Sequence, residues 1–204
     1  MPKTWLRQRR KDYFYRRAKE EHFRSRAAYK LLEVVDRYEL IKRGDVVVDL
    51  GAAPGGWMQA ARKLVGEKGY VLGIDLKPIN KLNFSNTKTI ATDVEELEGE
   101  DILKELPHKA DVFLSDIAPN VSGIWDLDHA RQIYLSEISL KLATYVLRVG
   151  GNLYVKVFQG SYFKEFIDRV KLFFRDVRVI KPSASRKESA EIYIIAMGFN
   201  GKPS

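Results

Sequence analysis

Short apolar runs alternate with amphipathic stretches along most of this chain. DVVVDLG (45–51) is an apolar run closed by glycine and predicts a strand, followed by a helix over about 56–65. YVLGIDL (70–76) predicts a second strand, TKTIATD (87–93) a weaker third and ADVFLSD (110–116) a fourth. Residues 128–148 carry Ile133, Ile138, Leu142 and Val146 at helical spacing and predict a long amphipathic helix. NLYVKVF predicts a fifth strand, SYFKEFIDRVKLFF another helix, and DVRVIKP and EIYIIAMGF two closing strands. Upstream, RSRAAYKLLEVVDRY pairs a polar with an apolar face and predicts a helix over about 24–40, led by a polar arm to about residue 22.

Alternating strand and helix units imply an open, mainly parallel sheet with helices on both faces. The last two strands are joined without room for a crossover helix, so they are expected as an antiparallel edge pair of a seven-stranded sheet. With 204 residues, no internal repeat and no Pro/Gly-rich linker, residues 1–204 read as a single domain with a basic N-terminal arm and helix over about 1–40.

Charge alters this picture at one end. Residues 1–30 hold eleven Lys and Arg against three acids, which accounts for the whole net charge of +8. Trp5, Tyr13, Phe14, Tyr15, Phe23 and Tyr29 are interleaved with them. Basic residues mixed with aromatic ones neutralise phosphates and stack on bases, so the arm is expected to contact RNA or DNA; the alternative is a solvated charge run. The chain has no cysteine, which excludes disulfides, thiolate zinc sites and a cysteine nucleophile. No apolar run is long enough to span a bilayer and the N-terminus lacks a signal-like apolar segment, so a cytoplasmic protein is expected.

Two stretches carry chemistry. VVVDLGAAPGGW follows the first strand, where open α/β sheets place their ligands. Gly51, Gly55 and Gly56 permit tight turning, but the spacing lacks the G-x-G-x-x-G of dinucleotide sites. Asp75, closing the second strand, suits ribose hydroxyls, and Asp93, after the third, suits an adenine amino group. The set fits S-adenosylmethionine, with its sulfonium near Trp57 or an acid. The second stretch is GGNLYVKVFQG, where Lys156 sits inside a core strand. A charged lysine there must be paired, snorkel to solvent or serve catalysis.

DYFYRRAKEEHFRSRAAYKLLE, VVVDLGAAPGGW, LSDIAPNVSG, YVKVFQG and KPSASRKESAEIYIIA together resemble the FtsJ (RrmJ, RlmE) family of S-adenosylmethionine-dependent RNA ribose 2′-O-methyltransferases, in its archaeal form. The resemblance runs from about residue 12 to 198 and is weakest over 77–110. It implies a Rossmann-like methyltransferase fold and a catalytic Lys-Asp-Lys-Glu set at Lys30, Asp116, Lys156 and Glu191, with Lys156 as proton acceptor. It further implies cofactor contacts at Gly51, Gly55, Trp57, Asp75, Asp93 and Asp116, and S-adenosyl-L-homocysteine as the product.

A neutral lysine can accept a proton, whereas Asp116 and Glu191 favour the charged form, so Lys156 either takes the 2′-proton or orients the oxygen. The substrate the resemblance implies is a uridine of large-subunit ribosomal RNA, in naked RNA or the assembled subunit, acted on by a monomer; close relatives modify the transfer RNA anticodon loop instead. A non-catalytic RNA-binding factor of the same fold is the alternative from another class. Asp116-Ile117-Ala118-Pro119 replaces the Asn/Asp-Pro-Pro-aromatic motif of amino-group methylation. His22, His108 and His129 lie apart, and Asp126 and Asp128 fall where acids cap a helix, so no metal is expected.

Overall fold

The computed structural model describes residues 13–186 and 189–201. The first half of the basic arm, residues 1–12 with Trp5, lies outside the described residues. The elements in chain order are α1 (Tyr13–Glu20), α2 (Ala28–Tyr38), β1 (Val46–Leu50), α3 (Gly56–Val65), β2 (Tyr70–Asp75), β3 (Thr87–Ala91), α4 (Gly99–Leu103), β4 (Ala110–Ser115), α5 (Trp125–Val146), β5 (Leu147–Phe158), α6 (Phe163–Lys171), β6 (Phe174–Ile180) and β7 (Glu191–Phe199). The strands form one seven-stranded sheet in the order β3-β2-β1-β4-β5-β7-β6. Pairings from β3 through β5 are parallel; β7 is antiparallel to both β5 and β6. The expected antiparallel edge pair is present as β7 and β6; within it β7 inserts between β5 and β6, which leaves β6 outermost on that side.

All five residues of β1 are buried, as a central strand covered on both faces requires. Alternate residues feed two cores. Val46, Val48 and Leu50 pack with Leu140, Ala143 and Val146 of α5 on one face. Val47 packs with Met58, Ala61 and Val65 of α3 and Leu31 and Val34 of α2 on the other. In α3 small alanines let the helix approach the sheet, and Met58 fills the space that Gly73 of β2 leaves open: a Cβ there would meet the Met58 sulfur at 2.2 Å.

The second half of the arm is more ordered than a solvated charge run. α1 buries Ala18, and Arg17 lies over the Tyr29 ring at 4.9 Å. Phe23 meets the same ring edge-on at 5.7 Å. This second half of the arm is thereby folded onto α2.

Candidate active site

β1 leads to strands on both sides of it, so a crevice opens between the carboxyl ends of β1 and β4. It forms a cavity of about 420 Å³ lined by residues that follow four strands, including Gly51, Asp75, Asp93 and Asp116. Gly51 has φ +77, and a Cβ on it would meet the Ile117 backbone nitrogen at 2.7 Å, so the loops after β1 and β4 touch only because no side chain intervenes. Gly51→Ala is therefore expected to destabilise the fold by about 2 kcal/mol or more, read as a lower midpoint in urea unfolding, and to narrow the cavity mouth.

The cavity wall is acidic. Asp75, Asp93, Glu95 and Asp116 face it against a single cation, Lys77. Asp75 also shapes the loops, accepting from the Ala53 amide at 2.9 Å and the Lys77 amide at 2.8 Å. Asp93 accepts from the Glu95 amide at 3.0 Å through one oxygen. Behind the wall lies Asp49 of β1, wholly buried, with neither carboxylate oxygen meeting a hydrogen-bonding partner. Burial pushes its carboxyl well above the ordinary range, with Asp116 and Asp75 adding to the shift and the nearby Met58 amide opposing it in part.

A raised carboxyl pKa means the folded chain holds a proton that the unfolded chain releases above about pH 4. Stability from this group is thus full below that pH and is lost as pH rises toward the folded pKa. Asp49→Asn is expected to remove that loss. Its unfolding free energy relative to the parent should rise with pH between 4.5 and 8 by at most about 1.4 kcal/mol per pH unit, measured by urea titration at each pH.

Gly55 and Trp57 stand elsewhere. Gly55 caps α3 at φ +103, and a Cβ there would meet the Arg24 guanidinium at 2.8 Å. Arg24 spans this region, donating to the carbonyls of Pro54 and Asn80 and, at 2.9 Å, to that of Lys81. The Trp57 ring is 3% exposed, donates to the Ala27 carbonyl at 2.6 Å and stacks on Tyr154 at 5.2 Å. The indole is a core side chain. Neither Gly55 nor Trp57 is among the residues that line the cavity, whereas Gly51, Asp75, Asp93 and Asp116 are.

The four expected catalytic residues do converge. Lys30 is carried on the sheet-facing side of α2 among Ala28, Leu31 and Val34. Its Nζ forms an ion pair with Glu191 Oε2 at 3.1 Å and donates to the Tyr193 hydroxyl at 2.7 Å. That hydroxyl donates to Asp116 Oδ1 at 2.7 Å. Lys156 Nζ lies 3.2 Å from the same oxygen and donates to the Asp116 carbonyl at 2.5 Å. The chain of contacts is therefore Glu191–Lys30–Tyr193–Asp116–Lys156, two cations balanced by two carboxylates with a phenol between them.

Strand register explains the convergence. Tyr193 stands opposite Lys156 and Glu191 opposite Phe158 across the β5–β7 ladder, so the four share one face of the sheet. β4 ends opposite Val155, one residue before Lys156. The Lys156 carbonyl is taken instead by the Gln132 side chain of α5 at 3.2 Å, with Ser136 Oγ 3.1 Å away. Below the cluster Tyr193, Tyr154 and Trp57 stack at 5.0 and 5.2 Å.

Burial would raise the Asp116 carboxyl, but the Lys156 and Lys30 ammoniums and the Tyr193 hydroxyl outweigh it and hold Asp116 below its ordinary range. Burial and the Asp116 charge push the Tyr193 phenol well above 10, so it stays protonated and passes hydrogen bonding from Lys30 to Asp116. The sequence reading missed Tyr193. Its signal was the alternation Glu191-Ile192-Tyr193, which places the phenol on the same face as the glutamate.

The expected helix-capping acid Asp128 instead staples the preceding loop, accepting from the Ser122 amide and hydroxyl, each at 2.7 Å, and from the Gly123 amide at 3.0 Å. These bonds hold its carboxyl below the ordinary range. Among the described residues no three His, Asp or Glu side chains converge as a metal ion would need, and no helix is long and apolar enough to cross a membrane.

Comparison with known proteins agrees with this arrangement. The profile of the FtsJ-like methyltransferases matches residues 23–199, which include all four residues of the lysine–carboxylate cluster. A Methanococcus maripaludis protein named ribosomal RNA large subunit methyltransferase E is 48% identical over 98% of this chain and 78% of its own length. A protein of the same name from Methanothermobacter thermautotrophicus is 46% identical over 99% of this chain and 96% of its own. Among solved structures, a Plasmodium falciparum protein described as a ribosomal RNA methyltransferase superposes with a TM-score of 0.77 at 26% identity, over 88% of this chain and all of that one. A Methanococcus jannaschii fibrillarin, 19% identical with a TM-score of 0.60 over 79% of this chain and 69% of its own, shares the fold. A seven-stranded Rossmann-like sheet, a family profile that spans residues 23–199 and relatives 46–48% identical over nearly the whole chain converge on one assignment: the chain belongs to the FtsJ-like methyltransferase family.

Proposed function

We propose that this methyltransferase uses S-adenosylmethionine to methylate a ribose 2′-hydroxyl of RNA, at a uridine of large-subunit ribosomal RNA. The observation that carries the reading is the placement of Asp116, which lines the acidic cavity with one face and anchors the lysine–carboxylate cluster with the other. The donor set fits this cofactor. Four carboxylates against one lysine favour a ligand carrying a sulfonium and an ammonium and disfavour a pyrophosphate. A volume of about 420 Å³ falls within the range of small-molecule sites. Gly51, Asp75, Asp93 and Asp116 of the cavity wall would hold it, together with Gly55 and Trp57 of the segment that follows β1.

When bound, the cofactor supplies a methyl group on a sulfonium, ready for in-line attack. The chain's own part is to bring the 2′-oxygen to that carbon and receive the proton. The proton released from the oxygen goes to Lys156 once that amine is neutral. Lys156 is directed by the Asp116 carbonyl and carboxylate. Lys30, held by Glu191 and Tyr193, supplies the second cation beside them and fixes the geometry of the cluster. Positioning of the two reacting atoms is the larger contribution, because a correctly oriented pair gains several kcal/mol over free encounter, on the order of 7–11 in the best cases.

The reading of the RNA and the subunit is supported by the names of the relatives and by the basic arm, whose second half, α1, packs beside α2. The arm is a phosphate-binding element and a monomer is the working unit of this reading, in the cytoplasm. The test is incubation of the protein and cofactor with large ribosomal subunits lacking the modification and, separately, with unmodified transfer RNA, followed by nucleoside mass spectrometry. 2′-O-Methyluridine from the ribosomal sample is expected. Ribose methylation of transfer RNA alone would move the substrate, base methylation would overturn the mechanism, and no methylation with no cofactor binding would favour a non-catalytic RNA-binding factor.

A further inference from the structure

Beyond the lysine–carboxylate cluster, the carboxyl end of β5 carries aromatic rings for which the methyl transfer described above has no use. Phe158, Trp125, His129 and Tyr162 form a staggered row. Successive centroids are 6.1, 5.9 and 5.7 Å apart and the planes diverge by only 17°, 17° and 8°. Aromatic pairs favour either an offset-parallel or an edge-on arrangement, and Phe23 and Tyr29 take the second here at 76°. Four near-parallel rings amount to a stack with flat faces.

The middle of the row is fixed. His129 is 1% exposed, and its Nε2 accepts from the Tyr162 amide at 3.1 Å. Gly160 leaves the room it needs, since a Cβ there would meet the imidazole at 2.6 Å. Burial lowers the imidazole pKa, with Asp126 opposing, which favours a neutral ring between its neighbours. Two of the four rings are open: Trp125, between Phe158 and His129, is 48% exposed, and Tyr162, at the end of the row, is 51% exposed. Val121 at 72% and Ile124 at 63% extend the apolar rim on the loop that leads into α5. A buried brace beneath exposed rings is a costly way to cover nothing, because large apolar side chains lose free energy in water.

The row is continuous with the candidate active site. Phe158 lies two residues after Lys156 and stands opposite Glu191 in the β5–β7 ladder. Gln132, one turn along α5 from His129, binds the Lys156 carbonyl. The same helix that holds the Lys156 backbone thus carries the two central rings.

We propose that Trp125 and Tyr162 form a stacking platform for an unpaired nucleobase next to the methylated nucleotide, which makes a single-stranded or splayed segment the form of RNA that the enzyme takes. This rests on the RNA reading given above and adds to it the conformation of the substrate. Base-on-ring stacking tolerates any base, so the platform contributes affinity and register, and sequence choice lies elsewhere. A base bound there would set the adjoining nucleotide beside the cluster, with that nucleotide's ribose turned toward Lys156.

The test measures binding of a short single-stranded oligoribonucleotide, and of a duplex of the same sequence, by fluorescence anisotropy. Trp125→Ala and Tyr162→Ala are each expected to weaken single-strand binding about five- to a hundredfold, the range for losing one stacked base, and to leave duplex binding unchanged. Trp125→Phe keeps a flat ring and should restore most of the affinity. Cofactor affinity of all three variants should equal that of the parent, which separates loss of the platform from loss of the fold. Parent-like single-strand affinity in both alanine variants would overturn the platform while leaving the RNA reading intact. A parent protein that binds neither RNA would overturn both. Loss of a concentration-dependent dimer in Trp125→Ala, with RNA affinity unchanged, would give the surface to a second copy of the chain and also overturn the proposal.

Discussion

Lys156→Ala is expected to lower methyl transfer by about two to four orders of magnitude, the range for losing a positioned proton acceptor, while cofactor affinity changes little. The asymmetry follows from placement. Lys156 touches Asp116 and is 3% exposed, but it is absent from the wall of the acidic cavity. Lys156→Arg discriminates between its two possible duties. A guanidinium can still donate to the Asp116 carbonyl and hold an oxygen in place, yet it stays protonated at any working pH. Near-complete loss in the arginine variant supports proton acceptance; retained turnover would reduce Lys156 to orientation. Single-turnover rates with saturating cofactor and RNA read both outcomes.

Asp116→Ala is expected to be the most destabilising single change in the cluster, by about 3–5 kcal/mol, the usual cost of leaving a buried ion pair without one partner. Lys30 and Lys156, 5% and 3% exposed, would then share Glu191 as their one carboxylate in the cluster, and the Tyr193 hydroxyl would lose its acceptor. The same change removes a carboxylate from the cavity wall, so cofactor affinity should fall with stability, unlike the Lys156 case. A double-mutant cycle checks the cause. Lys156→Met combined with Asp116→Ala should cost less than the sum of the single changes, because the unpaired cation has gone with its partner. Additive costs in urea unfolding would show that the two groups do not interact.

Much of this arrangement was legible in the chain, for identifiable reasons. The strands of the sheet centre are short runs of buried Val, Leu and Ile, and the period alone places them. Four catalytic candidates and four cavity residues were found because they stand at strand ends or inside motifs. Elements without a period were lost. α4 has five residues, too few to show a helical repeat, and the start of β5 at Leu147 is masked by Gly150 and Gly151, which read as a turn. Leu147 nevertheless pairs with Ala110, with an irregularity before Asn152 meets Val112. α1 was read as part of an arm because its composition is charged; its packing depends on Tyr29, a contact no local pattern announces. The insertion of β7 between β5 and β6 was equally invisible, since an edge pair and an inserted strand have the same spacing in sequence. Gly55 and Trp57 show a different limit. A motif preserves residue types without saying which are held for packing: here one glycine makes room for Arg24 and the indole supports Tyr154.

The insertion of β7 bears on when the enzyme becomes active. Lys30 finds Glu191 and Tyr193 across 161 and 163 residues of chain. A ribosome making this protein must extrude the last strand before the first lysine has its partners, and contacts of such long range close late in folding. Until then Lys30 and Lys156 lack the ordered surroundings that give them a task. The acidic cavity, built from β1 to β4, is encoded well upstream. A nascent chain would therefore carry the residues for its cofactor before it has the machinery to use it, and competence to modify RNA arrives only with the final strand.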